Sequence, residues 1–209
     1  MLFNNSWEKL RASLDNVIDE IASCPHLQPN NLVCDFIILG EDHRFYRHIG
    51  VDIFALFRAG WKTIFCRERQ GGSTIAMQLV RTLTGKYERN VYRKISEIVL
   101  AVRTTKYVGQ TSIPMIYAWV AYYGSNMNNY RQACSYLGLQ PNSMTDMDAA
   151  QLVARLKYPQ PRQCSARRKS QILSRALHLQ GLRQKITLLC LRRGHNGTIS
   201  NCSANTWAN

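Results

Sequence analysis

No acidic side chain occurs in residues 162–209, which carry 9 basic ones. Residues 1–40 lean the other way, with 2 basic and 5 acidic, and residues 41–109 hold 13 and 6. The net charge of +14 therefore has two addresses, the middle of the chain and its end. Such a surface suits a polyanion: nucleic acid, anionic lipid headgroups or a diphosphate-bearing substrate. Nucleic acid is set aside because no helix-turn-helix or RNA-binding signature accompanies the charge. No apolar run approaches the roughly 18 to 20 residues of a membrane-spanning helix. The start, M-L-F-N-N-S-W-E-K-L-R, lacks the basic segment, apolar core and small-residue cleavage site of an export signal. The expectation is a chain not exported by a signal of its own, or one whose true start lies elsewhere. Seven cysteines, an odd number without a C-x-x-C pair, argue against a zinc site and a secreted disulfide framework. Phosphate-loop spacing, G-x-x-x-x-G-K-[ST], is also absent.

What the chain does have is helical periodicity. Trp7, Leu10, Leu14, Val17, Ile18 and Ile21 recur at helical spacing over residues 6–23, with Ser6 as the expected N-cap. Residues 32–39 are apolar but cannot be assigned to helix or strand by period alone. Residues 53–65 interleave large apolar side chains with Arg58 and Lys62, and Arg67 and Arg69 follow, a pattern of a core helix or of one lying on a membrane interface. Helices are expected after Thr74, over 91–107, 113–123, 130–137 and 147–156, and in a basic stretch from Ala166 to about Gln184. The Gly- and Asn-rich residues 193–209 read as disordered. The division expected is an N-terminal helix and loop (1–31), a main domain (32–164), and a basic helix with a tail (165–209).

Three polar stations interrupt this pattern. Residues 41–52 read E-D-x-x-F-x-x-H-x-G-x-D, residues 70–78 read Q-G-G-S-T-I-x-x-Q, and residues 93–97 read R-K-x-x-E. Two adjacent acids in a cleft cannot both ionise comfortably, so Glu41, next to Asp42, is expected to have a raised pKa fit for a general base. Phe45 and His48 could fold back on that turn, Gly50 permits a positive φ, and Asp52 caps the next helix. Gly71 and Gly72 free the backbone for close approach to a ligand, while Ser73 and Thr74 offer hydroxyls and a helix N-terminus. Arg93 and Glu97 are i,i+4 neighbours, which alone could be an ordinary surface salt bridge. His48 and Asp52 are read as structural.

In this order the three motifs resemble the bacterial peptidoglycan glycosyltransferases, the lipid II polymerases, in their monofunctional single-domain form. The likeness continues at Ile113, Tyr117 and Gly124, at Tyr136-Leu137-Gly138, and from Ala149 to Pro161. It implies a mostly α, lysozyme-like helical domain with a large lobe and a small membrane-facing jaw, the jaw being residues 53–65. The implied reaction joins lipid II to a growing glycan strand by a β-1,4 linkage, with undecaprenyl diphosphate leaving. Glu41 would be the base and Glu97 the second catalytic glutamate. Ser73, Thr74, Gln78, Arg93 and Lys94 would bind the donor, supported by Asp42, Phe45, His48, Gly50, Asp52 and Gly72. No cofactor is required by this chemistry, no protein-held metal is expected, and a divalent Mg or Mn on the diphosphate is compatible with it. The resemblance also implies the periplasmic face of the bacterial inner membrane, an anionic lipid surface as partner, and other cell-wall synthesis proteins as candidate partners.

Two departures from the family pattern matter most: Gln110 or Thr111 stands where a lysine is usual, and Trp119 where an asparagine is usual. A smaller third is Ala76, where a hydroxyl or small polar residue is usual. These departures leave two alternatives beside the polymerase. One is a non-catalytic binder of lipid II or membrane that regulates other polymerases, and the other is a lysozyme-like lytic enzyme.

Overall fold

The structure, a computed structural model, describes residues 2–65, 71–88 and 90–192. The expectations for Arg67, Arg69, Gln70 and the tail 193–209 lie outside the described residues. Nine α-helices run through the described chain: α1 (Leu2–Ser23), α2 (Asn31–Glu41), α3 (Ile53–Phe65), α4 (Ile75–Thr84), α5 (Val91–Val108), α6 (Ile113–Val120), α7 (Tyr130–Leu137), α8 (Asp146–Lys157) and α9 (Ala166–Arg192). No strand occurs among the described residues, only isolated bridges that join Gly124 to Met127 and Gln160.

Local chemistry explains most helix starts. The side-chain oxygens of Asn30, Thr74, Asn90, Asn129 and Thr145 each accept a hydrogen bond from a first-turn N–H of the helix that follows. At α8 Asp148 returns the bond to Thr145, completing a capping box. Three boundaries differ from the sequence reading. Ser6 lies inside α1, which begins at Leu2, because neither glycine nor proline interrupts the four residues before it. Residues 32–39, ambiguous by period, are helical because Asn30 starts a helix there. Helix α6 stops at Val120, three residues earlier than expected, where Tyr123 turns its backbone to pair with Met127 and Gln160.

Helix α8 packs along α9 and against α2, while α4 lies on α5 and α6, and α1 crosses the α4–α6 layer. Phe36, Ile37, Ile75, Met77, Ile113 and Leu152 fill the shared centre. Both ends of the described chain feed the same core. Leu10 and Leu14 of α1, and Ile172, Ala176 and Leu179 of α9, are buried in it. The helices on either side of the expected breaks at 31/32 and 164/165 are thus parts of one packed body.

Helix α3 stands apart. Among the described residues it shares no extended interface with another helix. Asp52 caps it at Ala55 N (3.0 Å) and pairs with Arg44 (3.3 Å) at its foot. Gly72 fits against it so closely that a Cβ would lie 2.8 Å from that of Ala59. The apolar face Ile53, Phe54, Phe57 and Trp61 points to solvent, with Phe57 76% and Trp61 64% exposed. A helix with its large apolar side chains outward is not a core helix.

Candidate active site

Glu41 is the last residue of α2 and Asp42 its C-cap, so the two carboxylates leave the helix in different directions. Asp42 is buried and turns to His48, whose Nε2 lies 3.0 and 3.1 Å from its two oxygens, and it also accepts from Ile75 N at the start of α4. Asp42 is therefore a brace between the loop and α4, where the helix N-terminus favours its charge. Glu41 instead faces Gln78, which donates from Nε2 at 3.2 Å, and Arg175 of α9 at 3.7 Å. Its pKa is raised, as expected, but for a different reason. Burial is the main cause, opposed by the Gln78 hydrogen bond and by Arg175 and Lys157, and the Asp42 charge is the least of the contributions.

The braces around Glu41 are dense. Phe45 is buried in a 3-10 turn, with its ring edge-on to His48. Gly50 has φ +82°, and a Cβ there would meet Thr105 Oγ1 at 2.5 Å and the Ala101 carbonyl at 2.7 Å. Its carbonyl receives the Thr74 hydroxyl at 2.6 Å. Thr74 is only 2% exposed and also caps α4, so both its hydrogen-bonding roles are internal. In this structure it braces the site, joining the Gly50 carbonyl to the start of α4. Gln110 donates to the carbonyls of Phe45 and His48, the latter at 2.7 Å. Gln110, one of the two residues read as standing in for the family lysine, thus ties the 45–48 turn to the head of α6. Trp119 points the other way, donating to Glu20 of α1 at 3.1 Å and stacking on Tyr130. Both departures thus hold structural contacts.

The second cluster gathers around Glu97 of α5, which is 3% exposed. Oε1 accepts from Arg81 at 3.0 Å and from Lys94 at 3.4 Å, and Oε2 accepts from Arg93. One buried carboxylate therefore faces three cations, a local excess of two positive charges. The Nε–H groups of Arg81 and Arg93 are buried with no partner among the described residues. Lys94 has a lowered pKa, first from burial and then from its cationic neighbours, partly offset by Glu97. Ser73 Oγ accepts from Arg81 at 3.1 Å and from Lys94 at 3.0 Å. With both lone pairs taken by cations, its hydroxyl hydrogen is left free to donate. Unused donors and surplus positive charge are the complement of a polyanionic oxygen cluster.

Helix α4 joins the two clusters. Gln78 holds Glu41 and Arg81 holds Glu97, and residues three apart share a helix face. Gln78 thus serves the carboxylate and not the cations. Sequence reasoning missed Arg81 and Arg175, and it named Tyr117 as a family-like position without a role; its hydroxyl donates to Gln78 Oε1 at 2.6 Å. Arg81 carried a signal: it is the one basic residue of α4, on the face that bears Gln78. Arg175 carried none, being 134 residues from Glu41 in the chain.

Residues 16–182 match the family model described as Transglycosylase, and the chain belongs to that family. Its mostly helical build is that of the lysozyme-like transglycosylase fold. Among individual proteins it is similar to the monofunctional glycosyltransferase of Staphylococcus epidermidis, 36% identical over 124 residues, which cover 59% of this chain and 45% of that protein. The proteins of the same name from Staphylococcus haemolyticus (36% over 107 residues; 51% and 40%) and Staphylococcus aureus (32% over 127 residues; 57% and 47%) are similar too. Each of these matches spans less than half the length of the relative.

Proposed function

We propose that the chain is a peptidoglycan glycosyltransferase that polymerises lipid II. The acceptor's sugar 4-hydroxyl attacks the anomeric carbon of the donor strand, Glu41 takes the hydroxyl proton, and undecaprenyl diphosphate leaves. The observation that carries this reading is the pair of clusters along one face of α4. A desolvated carboxylate of raised pKa lies at Gln78, and one carboxylate shared by three cations lies at Arg81. A neutral hydroxyl needs a base, typically worth about 10²- to 10⁴-fold. A departing diphosphate needs its developing charge met by preorganised donors, which Arg81, Arg93, Lys94 and the Ser73 hydroxyl supply. A lytic enzyme would use Glu41 and leave this cluster without a task.

Metal chemistry is not assigned to protein ligands. Among the described residues no three His, Cys, Asp or Glu side chains converge, and the Glu97 oxygens are already taken by cations. A divalent Mg or Mn would ride on the diphosphate itself. For location, no described helix is long and apolar enough to cross a membrane. The outward face of α3, with Arg44 over the Phe54 ring, suits an anionic bilayer surface, which in this reading is the periplasmic face of the inner membrane.

The test is incubation of the purified chain with labelled lipid II, followed by gel analysis with and without muramidase. Muramidase-sensitive polymer is expected, and Glu41→Gln should lower it by about 10²-fold or more with lipid II binding nearly unchanged. Wild-type protein that binds lipid II without making polymer would establish the binder instead. Wild-type turnover in Glu41→Gln would remove Glu41 as the base.

A further inference from the structure

Tyr117 is a buried residue of α6 that no motif chemistry uses. Its hydroxyl donates to Gln78 Oε1 at 2.6 Å, and Gln78 Nε2 donates in turn to Glu41 Oε2 at 3.2 Å. An amide is two-faced, with acceptor and donor ends of nearly equal shape. Left to itself, Gln78 could present either end to Glu41. A carbonyl oxygen against an ionised carboxylate is repulsive, whereas an N–H is attractive.

Resting on the proposed role of Glu41, we infer that Tyr117 is a positioning residue that sets the direction of the Gln78 amide and thereby holds Glu41 in its proton-accepting form. Burial, and then the Glu41 charge, raise the Tyr117 pKa, so the phenol keeps its proton and can go on donating. With its one hydrogen committed to Oε1, the amide can offer Glu41 only N–H.

The other groups facing Glu41 do not share this property. Arg175 of α9 and Lys157 of α8 are cations that favour the ionised form in either amide direction, and Asp42 opposes it weakly. Among the described groups facing Glu41, Gln78 is the one that could offer either a donor or an acceptor, and the Tyr117 hydroxyl on Oε1 holds it in the donating direction.

The experiment is a titration of Glu41 by carbon NMR in carboxyl-labelled protein, wild type against Tyr117→Phe, with thermal melts as the folding control. Loss of the hydroxyl should move the Glu41 titration to higher pH, because the ionised form loses an assured donor. If Tyr117 acts through Gln78, Tyr117→Phe should add no further shift on a Gln78→Met background. In turnover, the acid limb of the Tyr117→Phe profile should move up by the same interval. The loss should be roughly 3- to 10-fold below the optimum, with recovery at high pH. A merely structural tyrosine would lower rate or melting temperature alike at all pH. An unmoved Glu41 titration in Tyr117→Phe overturns the inference. Should that variant not fold, an unmoved titration in Gln78→Met does so. The titration needs no turnover, so an inactive wild type or an active Glu41→Gln would count against the proposed function and leave this inference to its own result.

Discussion

Replacing Arg81 by alanine separates the work of the cation cluster from its contribution to the fold. In the resting protein Arg81 Nη2 bonds Glu97 at 3.0 Å and Ser73 at 3.1 Å. Its side chain is 30% exposed, and Glu97 keeps Arg93 and Lys94 when Arg81 is gone. The stability loss should therefore be small, about 1 kcal/mol. In the transition state the loss is larger. On the proposed reading the guanidinium, whose Nε–H has no partner among the described residues, meets the charge gathering on the diphosphate, and one charge-assisted contact is worth about 1.5 to 3 kcal/mol. That corresponds to about a 10- to 150-fold fall in turnover. Arg81→Lys keeps the charge without the fork and should recover only part of the loss. The assay is initial rate of lipid II polymerisation beside a denaturant melt for each variant. Turnover that falls only as far as the folded fraction does would show that Arg81 is a structural counter-ion to Glu97, and the diphosphate assignment would fail with it.

Two further outcomes are expected. Because burial raises the Glu41 pKa in the folded state, the native protein binds the proton more tightly than the unfolded chain, so the stability associated with this group is present at low pH and is lost as pH rises through the folded pKa. Glu41→Gln should then be more stable than wild type at neutral pH, with the gap closing on acidification below the usual carboxylate range; a pH-independent gap would contradict the burial argument. Substituting Phe54, Phe57 and Trp61 together by serine should abolish sedimentation with anionic liposomes at physiological salt while the melting temperature stays close to wild type, since these side chains face solvent; unchanged sedimentation would take the membrane role away from α3.

Much of the helical frame was legible from caps and period. The helices expected over 91–107, 130–137 and 147–156 are each present within a residue or so of those bounds. Residues 32–39 were not legible, because an all-round apolar run has no face to reveal its period until Asn30 caps it. Within the site, Glu41, Ser73, Arg93, Lys94 and Glu97 were reached by motif, and they are the residues that gather at the two clusters. The reasons were less secure than the names. The Glu-Asp pair suggested mutual repulsion, yet Asp42 turns away to His48, and the helix end sends neighbours to opposite sides. Thr74 looked like a ligand contact because hydroxyls beside glycines often are, and its burial is a tertiary fact. Arg175 of α9 reaches Glu41 directly and Tyr117 of α6 reaches it through Gln78, across separations that local pattern does not encode.

Gly40 lets α9 lie against the end of α2: a Cβ there would meet Leu179 at 2.9 Å and Arg175 at 3.2 Å, and Arg175 closes on the Gly40 carbonyl at 2.6 Å. Chain order and assembly order therefore diverge. Glu41 leaves the ribosome early, and the guanidinium that faces it leaves 134 residues later. A nascent chain that has not yet reached residue 175 carries Glu41 without the guanidinium that faces it in the finished fold, and the end of α2 stays uncovered until α9 arrives.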